Sequence, residues 1–128
     1  MPPVIAWFSR HAPTAQQVAE LRRLYGPDVR VYRDTRTFSG AEEIEQRFRA
    51  SGAADMVVVA PLSVIAALCE RGIKPLWAEM ELVPATHSGA EVRIQRKDGR
   101  IDHYRFVRFR RISGVRIEYE PITEETHK

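Results

Sequence analysis

Apolar residues recur at two periods along the chain, one suited to strands and one to helices, and the two alternate as far as Pro84. Val4-Ile5-Ala6-Trp7-Phe8 is a short, nearly all-apolar run and predicts a strand covered on both faces. Thr14-Ala15-Gln16-Gln17 then has the form of a capping box, in which the threonine and glutamine side chains satisfy each other's backbone N–H groups. Behind it Val18, Leu21 and Tyr25 share one helical face, with Leu24 beside them, and Gly26-Pro27 ends the helix. Val29 to Tyr32 reads as a second strand. Ser39-Gly40-Ala41-Glu42 has the form of a second capping box, Ile44 and Phe48 form the buried stripe of a second helix, and Gly52 closes it. Met56 to Ala60 is apolar and β-branched, as a central strand requires. Pro61 suits a first helical turn, and Leu62, Ile65, Ala66 and Cys69 give a third helix its apolar face, with Gly72 as its C-cap. Leu76 to Met80 predicts a fourth strand.

Strands and helices in strict alternation predict an α/β fold, a Rossmann-like βαβαβαβ parallel sheet with right-handed crossovers. From about Ala90 the helical period disappears. Glu91 to Lys97 and Arg100 to Arg110 flank Asp98-Gly99, a two-residue hairpin signal. Ser113-Gly114 predicts a second turn before a strand at Val115 to Tyr119. The expected organisation is a core over 1–84, an antiparallel hairpin or three-strand extension over 85–122 packed on the same domain, and a frayed tail over 123–128.

Composition narrows the class. With 128 residues, 44% hydrophobic and 29% charged, the chain fits one globular domain and not a disordered segment. Its one cysteine, Cys69, cannot form an internal disulfide or share a cysteine zinc site. No apolar run approaches the roughly 20 residues of a membrane helix, and Arg10 and His11 come too early for a signal peptide. A cytoplasmic location away from any membrane is expected. The net charge of +3 is unevenly placed: Arg93, Arg96, Lys97, Arg100, Arg105, Arg108, Arg110, Arg111 and Arg116 face only Asp98 and Asp102 in the same stretch. Such a segment offers a secondary contact for nucleic acid, or is simply a solvated strand face.

Ligands of open parallel sheets bind beyond the carboxyl ends of the strands, which selects the segments after Phe8, Ala60 and Met80. The first carries Ser9, Arg10 and His11 and then opens a helix at Thr14. Arginine grips phosphate at two points, histidine moves protons near neutral pH, and a helix start offers free N–H groups. These residues could equally satisfy loop backbone. After Ala60, Pro61, Leu62 and Ser63 could hold a phosphate or a base, or serve as a plain helix start. No G-x-G-x-x-G or G-x-x-x-x-G-K motif occurs, which argues against a dinucleotide site or an NTPase, and no G-x-S-x-G elbow occurs. Glu79 and Glu81 do not define a catalytic pair. His87, His103 and His127 lack ligand spacing, so neither a metal nor another cofactor is expected. Cys69 and Trp77 read as packing residues.

Two segments resemble a known family. Phe8-Ser9-Arg10-His11 looks like the F-x-S/T-R-H signature of a small CRISPR-associated protein family, and Val57 to Pro84 is similar to that family's strand, turn, helix and following strand. The Cys69, Arg71, Gly72 helix end is the most specific part. The family's Pro-Gly after the histidine is Ala12-Pro13-Thr14 here, and its Leu-Pro order is reversed to Pro61-Leu62. The resemblance implies a CARF-like fold, named for the CRISPR-associated Rossmann-type fold, and a homodimeric ring nuclease that binds cyclic oligoadenylate. Such an enzyme cleaves without a metal or other cofactor, by attack of a ribose 2′-hydroxyl, and switches off type III CRISPR signalling in antiviral defence. Carried onto this chain, His11 would be a general acid or base and Arg10 the clamp on the scissile phosphate. Ser9 and the amides before Thr14 would hold a neighbouring phosphate, and Pro61, Leu62 and Ser63 would cradle an adenine or ribose. The residues alone leave open a non-catalytic cyclic-nucleotide sensor, a nucleic-acid-binding module or an interaction protein.

Overall fold

The computed structural model describes residues 2–122. In chain order the elements are β1 (Val4–Phe8), α1 (Ala15–Tyr25), β2 (Arg30–Asp34), α2 (Ala41–Ser51), β3 (Asp55–Val58), α3 (Leu62–Glu70), β4 (Leu76–Val83), β5 (Val92–Gln95) and β6 (Ile101–Arg111). The expected alternation of strands and helices is therefore present, and the six strands form one sheet in the order β2-β1-β3-β4-β6-β5. The first four run parallel, whereas β6 lies antiparallel to β4 and β5 antiparallel to β6. The sheet is thus mixed, and its order differs from that of a fully parallel dinucleotide-binding fold. No helix among the described residues is long and apolar enough to cross a membrane.

The alternation of β1 and β3 divides the core. Ala6, Phe8, Met56 and Val58 point to one face and pack with Ala41, Ile44 and Leu68 from α2 and α3. Ile5, Trp7 and Val57 point to the other and pack with Leu21 of α1 and with Leu76. Both faces of these strands are buried, which is why they read as continuous apolar runs. Helices on opposite faces leave a crevice where the chain turns away on either side, between the carboxyl ends of β1 and β3.

The helix ends follow local chemistry. Thr14 caps α1 with the reciprocal bonds of a capping box: Gln17 N–H donates to Thr14 Oγ1 at 3.2 Å and Thr14 N–H to Gln17 Oε1 at 2.8 Å. The second capping box expected at Ser39 is not formed. Gly40 is the N-cap of α2 without a side-chain bond, and it is Glu43, not Glu42, that accepts from the Ser39 N–H at 2.7 Å and the Ser39 hydroxyl at 3.1 Å. After α3, Gly72 takes φ 81°, its N–H donates to Cys69 O, and the Ile73 N–H donates back to Leu68 O. That pair of bonds is a Schellman closure, and it needs the left-handed residue that glycine supplies.

The extension departs from expectation in two ways. The turn at Asp98-Gly99 is a three-residue loop: Arg96 N–H donates to Arg100 O at 2.7 Å, Gly99 N–H donates to Arg96 O at 3.0 Å, and Gly99 carries φ 87°. Residues 115–119 are not a strand, so the predicted three-strand tail has only the two strands β5 and β6. The expected frayed tail, 123–128, lies outside the described residues. Along β6, Glu79 pairs with Arg108 and Met80 with Phe106, which leaves Val107 as the extra residue of a bulge. The bulge turns Phe106 and Phe109 to the same face, where their ring centroids lie 4.9 Å apart and Phe109 meets Trp7 edge-on at 6.2 Å.

One polar network ties this extension to the parallel core. Arg111, at the end of β6, donates from Nη1 to Asp55 Oδ1 at 2.8 Å and from Nη2 to Asp55 Oδ2 at 2.5 Å, and Nη1 also reaches Lys74 O at 2.8 Å. The Tyr25 hydroxyl donates to the same carboxylate. Burial pushes the Asp55 carboxyl up, but the bonds from Arg111, Tyr25 and the Met56 N–H outweigh it and hold it below the usual range. The folded chain therefore binds fewer protons than the unfolded one on acidification, and this stability is present above the ordinary carboxylate range and lost as the pH falls through and below it. Asp55→Ala is expected to cost about 3 kcal/mol at neutral pH, read from the urea midpoint. Its loss of stability between neutral and acid pH should be smaller than that of the unaltered chain.

Candidate functional site

A cavity of about 340 Å³ opens at the carboxyl end of the parallel strands, lined by Ser9, Arg10, His11, Thr35, Arg36, Thr37, Phe38 and Val59. It draws on the loops after β1, β2 and β3 together. Strand β1 is buried from Ile5 to Phe8 and delivers Ser9, Arg10 and His11 to the rim as the chain leaves the sheet. The loop has internal support: the His11 N–H donates to Ser9 Oγ at 3.1 Å, and the indole Nε1 of buried Trp7 donates to the His11 carbonyl at 2.8 Å. Ser9 uses its oxygen as an acceptor there, and its hydroxyl hydrogen remains to be donated. The Arg10 and His11 side chains are exposed, and Arg10 has no carboxylate within ion-pair distance among the described residues.

The opposite wall is organised by Asp34, the last residue of β2, whose side chain is wholly buried. Its carboxylate accepts from the Arg36 N–H at 3.1 Å, from Arg36 Nε at 3.0 Å and from Arg36 Nη2 at 2.7 Å. Arg47 of α2 lies 3.7 Å from the same carboxylate through Nη1, and its Nη2 donates to Thr37 O at 2.8 Å. The bonds from Arg36 hold the Asp34 carboxyl below the usual range despite its burial, with further help from the charge of Arg47. Asp34 thus fixes the guanidinium of Arg36 through Nε and Nη2, so that Nη1 is the nitrogen left for a partner at the cavity.

Ser9, Arg10 and His11 are thus gathered in one cavity. Thr14, Pro61, Leu62 and Ser63 do not line it. The Thr14 hydroxyl is engaged as the α1 cap and donates to Glu91 Oε1 at 3.0 Å. Pro61 caps α3, and Leu62 and Ser63 are exposed beside it. The lining residues missed by sequence reading are Val59, just past the end of β3, and Thr35, Arg36, Thr37 and Phe38 after β2. The same strand-end rule, applied to β2, selects the last four, but the apolar pattern ends that strand at Tyr32, two residues short of Asp34. Among the described residues, no group of three His, Cys, Asp or Glu side chains could hold a metal ion.

Most basic residues of the C-terminal stretch are ion-paired, several of them sharing one carboxylate. Arg105 pairs with Glu81, Arg108 and Arg110 both pair with Glu79, Arg96 and Arg100 share Asp102, and Arg111 holds Asp55. Counting charges within the segment overlooks the carboxylates that β4 and β3 bring from elsewhere in the chain. Comparison of the chain with protein-family models, curated proteins and solved structures finds no match.

Asp34→Ala leaves Arg36 and Arg47 without their shared carboxylate. It is expected to destabilise the chain by about 3 kcal/mol. Amide hydrogen exchange should rise most over residues 35–38; an unchanged exchange rate there would show that the loop is held by other contacts.

Proposed function

We propose that the protein is a ring nuclease of CARF-like fold that binds cyclic oligoadenylate, with cyclic tetra-adenylate as the first candidate, and cleaves it without a metal. The observation that carries this reading is the gathering of Ser9, Arg10 and His11 with Arg36 at one cavity beyond the carboxyl ends of β1 and β2. The resemblance of Phe8 to His11 and of Val57 to Pro84 to a small CRISPR-associated family supplies the ligand class. A cavity of about 340 Å³ accepts roughly one nucleotide, since pockets for whole drug-sized ligands run from about 300 to 1,000 Å³. A four-membered ring therefore requires a second copy, and its own two-fold symmetry matches a closed dimer.

In this reading Arg10 and Arg36 hold phosphate oxygens, and the Ser9 hydroxyl donates to a neighbouring phosphate. The seat aligns a ribose 2′-oxygen with the adjacent phosphorus. The 2′-oxygen–phosphorus bond forms, the bond from phosphorus to the 5′-oxygen breaks, and the products are a 2′,3′-cyclic phosphate and a 5′-hydroxyl. One proton leaves the 2′-hydroxyl and one arrives at the 5′-oxygen, and in this reading His11 serves one of these transfers. The positive charge of the arginines stabilises the pentavalent phosphate more than the ground state, because negative charge accumulates there.

Two other readings predict different behaviour. A sensor without catalysis would bind the ring and release no product. A nucleic-acid module would work through the Arg93 to Arg116 stretch, whose ion pairs with Glu79, Glu81 and Asp102 weaken its field. The test is incubation of the chain with cyclic tetra-adenylate in EDTA, followed by separation of products. Linear or smaller products are expected. His11→Ala should slow cleavage by about 10²- to 10⁴-fold with little change in binding, and Arg10→Ala should weaken both. An intact ring at micromolar enzyme contradicts the proposal.

A further inference from the structure

The stretch after β6 has the pattern of a strand and no partner for it. Val115, Ile117 and Tyr119 alternate with Arg116, Glu118 and Glu120, yet the described chain leaves Ile117 68% and Tyr119 87% exposed. Apolar residues alternating at period two are suited to a pleated, half-buried surface. Here Ile117 and Tyr119 face solvent, while Val115 is half-buried.

The sheet has an open place for such a strand. Strand β5 pairs with β6 only from Ile101 to Tyr104, and Glu91 adds one more bond at Tyr104. From Arg105 to Arg111, β6 is paired on its β4 side alone among the described residues. That open edge has two matching sides. Phe106 and Phe109 lie on one face, while Arg105, Arg108 and Arg110 lie on the other and share only the carboxylates of Glu79 and Glu81. Ile117 and Tyr119 complement the aromatic face; on the other side Arg116 pairs with Glu118 at 3.4 Å within the arm, and the two carboxylates of Glu118 and Glu120 leave that side net acidic toward the three guanidinium groups.

The chain's own tail cannot reach this edge through the two-residue turn at Ser113-Gly114. In such a hairpin the flanking residues exchange both of their backbone bonds with each other. Ile112 directs its bonds the opposite way: its N–H donates to Pro75 O at 3.0 Å, and its carbonyl accepts from Cys69 Sγ at 3.7 Å. The chain is thereby held on the β4 and α3 side as it leaves the sheet.

We propose that residues 115–119 form a strand on the open edge of β6 in a second copy of this chain, and that the two copies exchange these arms about a two-fold axis. The exchange satisfies the exposed edge groups of β6 and covers the apolar side of the arm in one step. The proposal stands apart from the ring-nuclease reading, which needs a dimer but not this contact.

Light scattering on the full chain at tens of micromolar tests it. The unaltered chain is expected at twice 14.7 kDa. The double variant Ile117→Asp, Tyr119→Asp is expected at half the mass of the unaltered chain, with an unchanged helical circular dichroism signal. Glu118→Arg with Glu120→Arg should shift the equilibrium toward monomer in the same way. A dimer that keeps its mass in the double variant overturns arm exchange and leaves the ring-nuclease reading intact. A monomeric unaltered chain overturns arm exchange and counts against ring binding as well. A monomer whose melting temperature falls in the double variant places the arm on its own sheet, and that also overturns the exchange.

Discussion

The carboxylate of Asp34 is the constraint around which the candidate site is built. It sits at the end of a parallel strand, buried, where an unpaired charge would be costly. Its position is tenable because Arg36 folds back over it and Arg47 reaches it from α2. The same arrangement shapes the β2–α2 loop, since Arg47 also holds the carbonyl of Thr37. The structural ion pair and the candidate site therefore share a residue: the arginine that neutralises Asp34 also lines the cavity.

Charge is distributed less simply than composition implies. The C-terminal strands carry most of the surplus arginine, but β6 runs beside β4, and β4 supplies Glu79 and Glu81 at the facing positions. Cross-strand pairing spends that positive charge on holding the extension to the core. In the loop after β1, Arg10 has no such partner among the described residues, so the cavity rim presents an uncommitted guanidinium. Exposed ion pairs of this kind each add little to stability, so the Asp55, Arg111 and Tyr25 network, which is partly buried, carries more of the attachment.

Much of the fold was legible because the two central strands, β1 and β3, are buried on both faces and read as apolar runs. Helix starts were legible where a side chain makes the cap, as at Thr14, and shifted where glycine does, as at Gly40. The predicted strand at Val115 to Tyr119 failed for a reason local sequence does not contain: the backbone of Ile112 is claimed by Pro75 and Cys69, which lie far away along the chain. Half of the site was legible for a similar reason of scale. Ser9, Arg10 and His11 follow an obvious strand. Arg36 follows a strand whose polar residues, Arg30, Arg33 and Asp34, disguise its length. Edge strands alternate less cleanly, because one side and one face meet water.

The central claim is that the rim formed by the loops after β1 and β2 seats a phosphate-rich ring. An amide-resolved nuclear magnetic resonance titration with cyclic tetra-adenylate addresses it directly, because it locates binding whether or not turnover follows. Saturable shifts confined to residues 9–11 and 35–38, with their neighbours Trp7 and Val59, are the predicted result. A spectrum that does not move, or one that moves only over Arg93 to Arg100, would contradict the account.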